Sequence, residues 1–540
     1  MWCGQLGPLH LEPSHILRSA ESGRAVVMAS THPVNLFAEL NITRLQVVGF
    51  IVIIVALYAV VRCVYLLHFH PLAKYPGPRI AAVSNVWWAY HWLSGLYPWA
   101  IAKVLDEYGD VVRIGPNEVV FITPKASDDI YDSHTKHLEH FTRTDWLDLG
   151  EGEDGIIWER DPARHRQVRK GLSPAFSVKS LQAKEPTLHK HIDYFLERIR
   201  ELGDDESGVD LREWTDWLAL DISADMAYSR EMRQMETMKS APLLDAMWAV
   251  NFFVSVNAVT KKFRLLAPLK FLFIPPSLLA TLPHTLALNS KEVVTRINRR
   301  GNTTHLDYFE HICPPDAPEP DKKRLKHMEI LAGQLLTAGY EPISSQFLCT
   351  LMFLIQDPTS YRLLVEEIRG KFGSTHDIDT ESVAHLRFLN ACLMETLRIT
   401  VIGANGLPRI SPGAVVDGHY IEKGITVQYG HFAFTRSPRY FHEPESFKPQ
   451  RWLPCDHEQW DNVFANDARD AFWPFSRGPR SCPGMGSAWR QTRLFIAKVL
   501  WNFDVELVPG QEVVFGRDFR SYAMWEKPTI RARFLPVVRK

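Results

Sequence analysis

The sequence has few cysteines, and their arrangement excludes a disulfide-stapled fold. Seven cysteines are scattered over 540 residues, and an odd, dispersed set does not indicate a disulfide framework. The pattern predicts that most of the chain faces a reducing compartment. The seven positions are Cys3, Cys63, Cys313, Cys349, Cys392, Cys455 and Cys482.

The sequence also lacks the features that divide a long chain into several domains. Between residues 80 and 540 there is no Gly/Ser linker, no acidic or basic block, no low-complexity tract and no internal repeat. Because the formal net charge is −1, we do not expect nucleic acid as a partner. With 46% hydrophobic residues, the chain has enough apolar side chains for one large globular domain.

One hydrophobic run near the N-terminus is long enough to cross a membrane. Residues 45–67 are mostly apolar and carry a single charge, Arg62, and about 20 such residues span a bilayer. A cleaved signal peptide would have a shorter apolar core and a small-residue cleavage site, which are both missing. A buried core helix is the alternative, and it agrees less well with a segment that is apolar on every side.

The charges around this run predict its orientation. More cationic residues follow the run than precede it, which places the C-terminal part in the cytosol. The predicted organisation is a lumenal segment (1–44), a transmembrane helix (45–67), a proline-rich hinge (68–80) and a catalytic domain (81–540). Asn41 begins an Asn-Ile-Thr sequon on the lumenal side, so it is a candidate for glycosylation.

A single cysteine near the C-terminus lies in a loop that suits a metal-binding thiolate. The stretch 475–484 reads Phe-Ser-Arg-Gly-Pro-Arg-Ser-Cys-Pro-Gly. Neighbouring arginines and a following helix N-terminus lower a thiol pKa, and glycines permit a close approach of backbone to a ligand. Without a cysteine or histidine companion nearby, Cys482 cannot form a zinc site, but it can be the one protein ligand of a haem iron. The alternative is a buried cysteine in a Gly/Pro turn.

This stretch matches the pattern F-x-x-G-x-R-x-C-x-G at every fixed position, and here the chain resembles the cytochrome P-450 family of haem-thiolate monooxygenases. The resemblance implies a mainly helical fold with a small β region, preceded by one N-terminal transmembrane helix. It also implies haem b as cofactor, Cys482 as the ligand of its iron, and Phe475, Gly478 and Arg480 beside it.

A cationic helix is predicted from the sequence after Asp161-Pro162. His165 and Arg169 are four residues apart and therefore share one face of that helix. They resemble the family helix W-x-x-x-R that binds a haem propionate, with histidine in place of tryptophan. Arg409, which follows Pro408, resembles a second propionate arginine. The basic face has two other interpretations, a solvated surface and a docking site for an acidic redox partner.

Residues 324–356 predict a helix roughly 50 Å long at about 1.5 Å per residue. Its centre resembles the family pattern A-G-x-[DE]-T, in which small residues cover the haem and an acid and an alcohol deliver protons to oxygen. The chain has Ala338, Gly339 and Glu341, but Pro342 replaces the threonine. We expect Glu341 to act in a proton relay, with Ser344, Ser345 or a substrate hydroxyl replacing the missing alcohol. The alternative is that Pro342 only kinks the helix for packing.

Three charged residues predict a structural network. Glu395 and Arg398 match E-x-x-R, and Arg451 follows in Pro-Gln-Arg-Trp, where the family pattern has an acid instead of glutamine. A lone E-x-x-R match is weak, since exposed pairs at this spacing are common. Their order before Cys482 resembles the family order. The resemblance implies that the trio holds the chain beneath the cysteine loop.

The resemblance implies a monooxygenase that activates O2 and oxidises a small apolar substrate. Phrases at 431–441 and 522–528 are similar to fungal members that act on terpenoid, polyketide or alkaloid intermediates in secondary metabolism. Electrons would come from NADPH through cytochrome P-450 reductase at the endoplasmic reticulum membrane, because the chain has no flavin-like region of its own. Two alternatives are a non-monooxygenase isomerase or dehydratase and a non-catalytic haem-binding sensor.

Overall fold

Helices make up most of the chain that the structure describes. The computed structural model describes residues 43–132, 140–146, 155–274, 276–303 and 305–538, so Asn41 lies outside it. The helices within these residues are α1 (Arg44–Val64), α2 (Arg79–Val83), α3 (Val86–Leu93), α4 (Tyr97–Tyr108), α5 (Pro124–Tyr131), α6 (Pro162–Leu172), α7 (Val178–Ala183), α8 (Glu185–Leu202), α9 (Leu211–Tyr228), α10 (Gln234–Thr237), α11 (Pro242–Lys262), α12 (Pro276–Asn298), α13 (Phe309–Ile312), α14 (Lys322–Gln356), α15 (Pro358–Lys371), α16 (Arg387–Thr400), α17 (His431–Arg436), α18 (Met485–Asn502) and α19 (Phe515–Asp518).

The strands are short and form small sheets. In the described ranges they are β1 (Val111–Gly115), β2 (Glu118–Phe121), β3 (Thr142–Arg143), β4 (Val209–Asp210), β5 (Arg409–Ile410), β6 (Ala414–Val416), β7 (His419–Ile421), β8 (Thr426–Tyr429), β9 (Phe503–Leu507), β10 (Arg520–Ser521), β11 (Trp525–Glu526) and β12 (Arg531–Pro536). One mixed sheet has the order β1-β2-β8-β5-β3, in which only β2 and β8 run parallel. Strands β4, β12 and β9 form an antiparallel sheet, and β6–β7 and β10–β11 are two-stranded. The predicted mainly helical fold with a small β region is confirmed.

The N-terminal helix is a candidate membrane-spanning helix. The chain divides into two units after Val61. Helix α1 continues as a π-helical turn to Phe69. The 26 residues from Arg44 to Phe69 are long and apolar enough to cross a membrane, and no residue of α1 is buried. Among the described residues, α11 is also long and apolar enough to cross a membrane, but 44% of its most apolar part is buried, as in a core helix.

The proline-rich segment 68–80 packs against the mixed sheet. Leu72 is fully buried, and Tyr75 is nearly so. The Arg113 N–H on β1 donates to the Pro76 carbonyl at 2.7 Å, and the Arg113 guanidinium donates to the Leu66 carbonyl at 2.7 Å. The segment predicted as a hinge is therefore held to the sheet by one backbone hydrogen bond and by the burial of its apolar side chains.

Most of the buried apolar side chains in the described ranges form two cores. The larger one lies among α8, α9, α14, α16 and α18 and includes Phe347 and Phe495, whose ring centroids are 4.1 Å apart. The smaller one joins α3 and α4 to β1 and β2. Helix α14 runs through the larger core from Lys322 to Gln356, as the sequence predicted. Because this helix is packed on several sides, it provides a rigid wall for the site described next.

Candidate active site

A largely apolar cavity of about 360 Å³ lies between α14 and the loop that carries Cys482. Leu335, Ile343, Leu397 and Ile402 contribute apolar side chains to its wall. Cavities that bind small molecules are typically of this size and are lined mainly by apolar groups with a few polar ones. Polar side chains also line it, among them His165, Arg169 and Arg480.

The cysteine loop is shaped by one glycine. Gly478 has φ of +69°, and a Cβ atom there would lie 2.1 Å from the Tyr131 carbonyl oxygen, so only glycine fits without a shift of the backbone. Further along, the Cys482 N–H donates to the Phe475 carbonyl at 2.8 Å and closes the loop. Phe475 itself lines the cavity and its ring packs against Trp489.

The surroundings of Cys482 act on its thiol in two directions. Burial raises the pKa of the Cys482 thiol, whereas the N–H groups of Gly484 and Met485 and the Arg169 guanidinium favour the thiolate. These two N–H groups lie where α18 begins, at the positive end of its dipole. A bound metal cation would shift the balance to the thiolate, since a coordinating thiol is deprotonated outright.

Of the two arginines expected to act on the thiol, Arg477 has another partner. Its guanidinium forms ion pairs with Asp128 and Asp132, which fix the loop to α5 and its C-terminal end. The neighbour that does act is Arg169 on α6, which donates to the carbonyl and to the hydroxyl of Ser481. The sequence alone missed this contact because α6 and the loop are more than 300 residues apart.

Several arginine side chains surround His165. Arg143, Arg169 and Arg480 line the cavity with it, and Arg409 lies close enough to influence it. Burial and these four arginines lower the pKa of His165 to about 3. His165 is therefore neutral at physiological pH, so the positive charge of this helix comes from its arginines and lysine. Arg409 donates to the carbonyls of Leu407 and Pro408 and is not on the cavity wall itself.

These features fit haem b. An apolar cavity with a cysteine on one wall and several arginines at one end matches an apolar disc with an iron centre and two carboxylates. The residues that would hold it are Cys482 at the iron and His165, Arg169, Arg409 and Arg480 near the propionates.

The centre of α14 presents a smooth face to the cavity. Ala338, Gly339, Pro342, Ile343 and Gln346 all line it. A Cβ atom on Gly339 would lie 2.5 Å from the Ser223 hydroxyl, and that hydroxyl donates to the Leu336 carbonyl at 2.8 Å. Gly339 therefore also permits the close crossing of α14 and α9.

The residues expected to form a proton relay lie away from this face. The structure does not place Glu341, Ser344 or Ser345 among the residues that line the main cavity. The Glu341 carboxylate accepts a hydrogen bond from the Trp525 N–H, and Ser344 contacts Asp216 and Lys527. The reason is the helical period: at 100° per residue, positions 341 and 344 point away from the line through 338, 342 and 346.

The three charged residues that the sequence suggested as a structural network lie together. Glu395, Arg398 and Arg451 are fully buried. The carboxylate accepts from Arg398 at 2.8 Å and from Arg451 at 3.1 Å. Arg451 also pairs with Asp467, an acid that the motif did not indicate and that lies 16 residues further along. The Arg398 guanidinium donates to the carbonyls of Thr435, Pro444 and Ser446, and so secures the long loop before the cysteine.

Several residues that line the cavity belong to no sequence motif. Arg143 and Gln334 belong to no recognisable pattern, and Tyr308, whose hydroxyl meets Ser487 at 3.0 Å, lies in an otherwise uninformative region. Gln346 had a usable signal, because it lies four residues after Pro342 on the same helical face. Its Nε2 donates to the Leu393 carbonyl at 3.0 Å.

Comparisons with known proteins agree with this geometry. The sequence model of the family described as Cytochrome P450 matches residues 76–530. The chain is 48% identical over 493 residues to the cytochrome P450 monooxygenase TwmD of Talaromyces wortmannii. The aligned region covers 91% of this chain and 96% of the relative. It is 33% identical over 481 residues to the cytochrome P450 monooxygenase poxC of Penicillium oxalicum (88% and 92%), and 31% identical over 504 residues to btcC of Colletotrichum orbiculare (92% and 96%).

The fold, the cysteine at the cavity and the family match lead to one assignment. The match extends from the proline-rich segment to β11 and includes Cys482, the cavity face of α14 and the Glu395 network. The chain belongs to the cytochrome P450 family of monooxygenases, which bind haem b through a cysteine thiolate.

Proposed function

We propose that this monooxygenase hydroxylates or otherwise oxidises a small apolar natural-product intermediate of fungal secondary metabolism. The observation that carries the proposal is the cavity itself, whose wall opposite Cys482 consists of apolar side chains and a smooth stretch of α14. Such a surface favours an apolar substrate through burial and offers few fixed hydrogen bonds. The relatives named above are fungal cytochrome P450 monooxygenases, which supports a role in a fungal pathway.

The protein residues would contribute binding, orientation and electrostatics. When bound, haem supplies the activation of O2, with electrons from a redox partner. Cys482 would hold the iron, and the Gly484 and Met485 N–H groups would hold the sulfur as thiolate. Arg169 would bind a propionate while keeping Ser481 and thus the loop in place. The apolar lining would exclude water from the reacting centre.

We further propose that NADPH-cytochrome P450 reductase supplies the electrons at the endoplasmic reticulum, with the catalytic domain in the cytosol. The surface of α6 supports a docking role, because its exposed side includes Arg164, Arg166 and Lys170. Charged patches of this kind steer an acidic partner and mainly affect its association rate.

The first test is spectroscopic. The reduced, carbon-monoxide-bound holoenzyme is expected to show the red-shifted absorption band of a thiolate-ligated haem, and addition of substrate is expected to change the iron spin state. Product profiling against a library of terpenoid, polyketide and alkaloid intermediates, with NADPH and reductase, then identifies the substrate. A normal thiolate spectrum without any ligand-induced spin change or product would instead favour a haem-binding sensor.

A second candidate function follows from Pro342. Proline has no hydroxyl with which to deliver a proton, and it occupies the cavity face where the family pattern has threonine. An isomerase or dehydratase that rearranges an oxygenated substrate would not need that hydroxyl. Product formation that continues at the same rate without NADPH and reductase would establish this alternative, whereas strict dependence on both excludes it.

Removal of the N-terminal helix is expected to release most of the protein from membranes. A truncation of residues 1–64 deletes α1 but keeps Leu66 and His70, which Arg113 contacts. About 20 apolar residues are needed to span a bilayer, and α1 provides them. The measurement is the fraction that sediments with membranes in high salt, compared with the full-length chain.

A truncated protein that still sediments completely would point to another membrane contact. The 3₁₀-helical segment Arg264–Phe273 is the candidate, because Leu265, Phe271 and Leu272 are all strongly exposed. It overlaps residues 268–283, an apolar stretch that prolines interrupt and that is too short to span a membrane. Most of the remainder of that stretch lies outside the described side chains.

A further inference from the structure

We propose that Glu341 is a positioning residue: its carboxylate holds the C-terminal hairpin (β10–β11, Arg520–Glu526) against α14, and this attachment supports the neighbouring segments that line the substrate pocket. The attachment of the hairpin is independent of the monooxygenase function proposed above. Only its consequence for the substrate rests on that function.

The hydrogen bonds of Glu341 all lie on the side of α14 that faces the hairpin. The residue is 7% exposed. Its Oε1 accepts from the Trp525 N–H at 3.2 Å and from the Ser345 hydroxyl at 3.1 Å. The Trp525 N–H lies on the second strand of the hairpin, so one carboxylate oxygen joins that strand to the helix. This placement differs from what a proton donor to the cavity would require.

A buried ion pair fixes the chain just after the hairpin. The Lys527 ammonium is fully buried and donates to the Asp216 carboxylate on α9 at 2.5 Å and to the Ser344 hydroxyl on α14 at 2.7 Å. Ser344 in turn donates to Asp216. Breaking a buried pair is costly, because it leaves an unpaired charge. Glu341 and Ser344, three residues apart on α14, thus hold two successive points of the same segment.

The other parts of the hairpin are held by neighbouring elements. The Ser521 hydroxyl donates to Asn405 Oδ1 at 3.0 Å, and the Met524 N–H donates to Asn251 Oδ1 on α11 at 2.8 Å. The Trp525 indole donates to the Thr400 carbonyl at 2.8 Å. The hairpin is therefore a fixed element whose only link to the centre of α14 among these bonds is Glu341.

The hairpin contacts segments that line the main cavity. A small cavity of about 20 Å³ lies beside its bond to α14 and is lined by Glu341, Gly403–Asn405 and Ser521–Trp525. Pro342, which follows Glu341, and Ile402, which precedes Gly403, line the main cavity. A loosened second strand would widen the small cavity next to Pro342 and Ile402, so Glu341 is expected to influence which molecules fit the main cavity and how they are oriented.

Two substitutions separate this role from a proton relay. In Glu341→Gln the amide oxygen still accepts from the Trp525 N–H, whereas Glu341→Leu has no acceptor. Hydrogen–deuterium exchange of the full-length holoenzyme, resolved to the Trp525 amide, is expected to be about tenfold faster in Glu341→Leu and close to wild type in Glu341→Gln. Ser345→Ala is the matched control, since it removes a bond to Glu341 without a bond to the hairpin.

Pocket shape is measured with two haem ligands of different size. The ratio of dissociation constants of phenylimidazole and imidazole, from absorption titrations, is expected to change about fivefold or more in Glu341→Leu and to stay constant in Glu341→Gln. An unchanged Trp525 exchange rate in Glu341→Leu overturns the attachment. A faster exchange with an unchanged ratio overturns the role in the pocket.

A relay role predicts a different result for Glu341→Gln. The amide keeps the bond to the Trp525 N–H but cannot deliver a proton, so peroxide release per NADPH in the presence of reductase would rise. The positioning role predicts that Glu341→Gln releases as little peroxide as the wild type.

If Glu341→Leu is poorly folded, Ser344→Ala provides the second route. It keeps the Lys527–Asp216 pair but removes the hydroxyl that links this pair to α14, so exchange at the Trp525 to Lys527 amides is expected to rise while other α14-facing peptides stay protected. Absence of the thiolate spectrum in the wild type would contradict the proposed function without affecting the exchange result.

Discussion

Replacement of Cys482 by alanine is expected to abolish the thiolate spectrum and all turnover while leaving a folded, membrane-bound chain. The side chain is small and faces the cavity, so its removal creates no gap in the apolar cores. The loop keeps its other supports: the backbone bond to Phe475, the ion pairs of Arg477 and the fit of Gly478 against Tyr131. What disappears is the one thiolate on the cavity wall within the described residues.

The chain offers a matched control for this substitution. Cys455 is also a free, exposed cysteine in the C-terminal part, but it lies outside the cavity lining. Cys455→Ala is expected to keep the spectrum and activity of the wild type, which excludes a general effect of removing a thiol. The measurement is the absorption of the reduced, carbon-monoxide-bound form, normalised to haem content. A thiolate-type spectrum in Cys482→Ala would move the iron ligand to another residue and would contradict the assignment.

The sequence predicted the parts of the site that short motifs specify. The cysteine loop, the α6 pair and the Glu395 network each depend on residues that are close together in sequence or that occur in a recognisable order. The helical pattern at 324–356 likewise determines α14 from local residues. Patterns of this kind carry over to the fold because a helix forms from neighbouring residues.

The parts that the sequence did not predict depend on long-range packing. The direction of Glu341 follows from the rotation of α14 in the core, which the A-G-x-[DE]-T pattern does not specify. The neutral state of His165 results from burial among arginines of several elements. Arg477 lost its expected role because Asp128 and Asp132, almost 350 residues earlier, lie beside it. Each outcome requires knowledge of which distant elements meet.

Replacement of Glu395 by glutamine is expected to produce the largest loss of stability among conservative single substitutions in the catalytic unit. The carboxylate is fully buried and accepts from Arg398, from Arg451, from the Lys448 N–H at 2.9 Å and from the Trp452 indole at 2.8 Å. Burial opposes ionisation, but the two arginines outweigh it, and the pKa of Glu395 stays below its usual value.

Glutamine has nearly the same shape, so the substitution removes a charge and not volume. It leaves two buried guanidinium groups with only the Asp467 carboxylate between them, and it turns an NH₂ group toward one of the arginines. Removal of one partner from a buried ion pair costs about 3 to 5 kcal/mol. The loop secured by Arg398 and Arg451 leads to the cysteine, so loss of haem is expected to accompany unfolding.

An exposed pair on the next helix toward the N-terminus provides the control for Glu395→Gln. Arg362 and Glu366 on α15 are four residues apart with a distance of 2.9 Å, and their side chains are 62% and 58% exposed. Because solvent screens such a pair, Glu366→Gln is expected to cost at most about 0.5 kcal/mol. The measurement is the urea concentration that removes half of the thiolate absorbance of the full-length protein in detergent. Equal midpoints for the two variants would show that Glu395 does not hold the loop beneath the cysteine, whereas a large decrease confined to Glu395→Gln is the expected result.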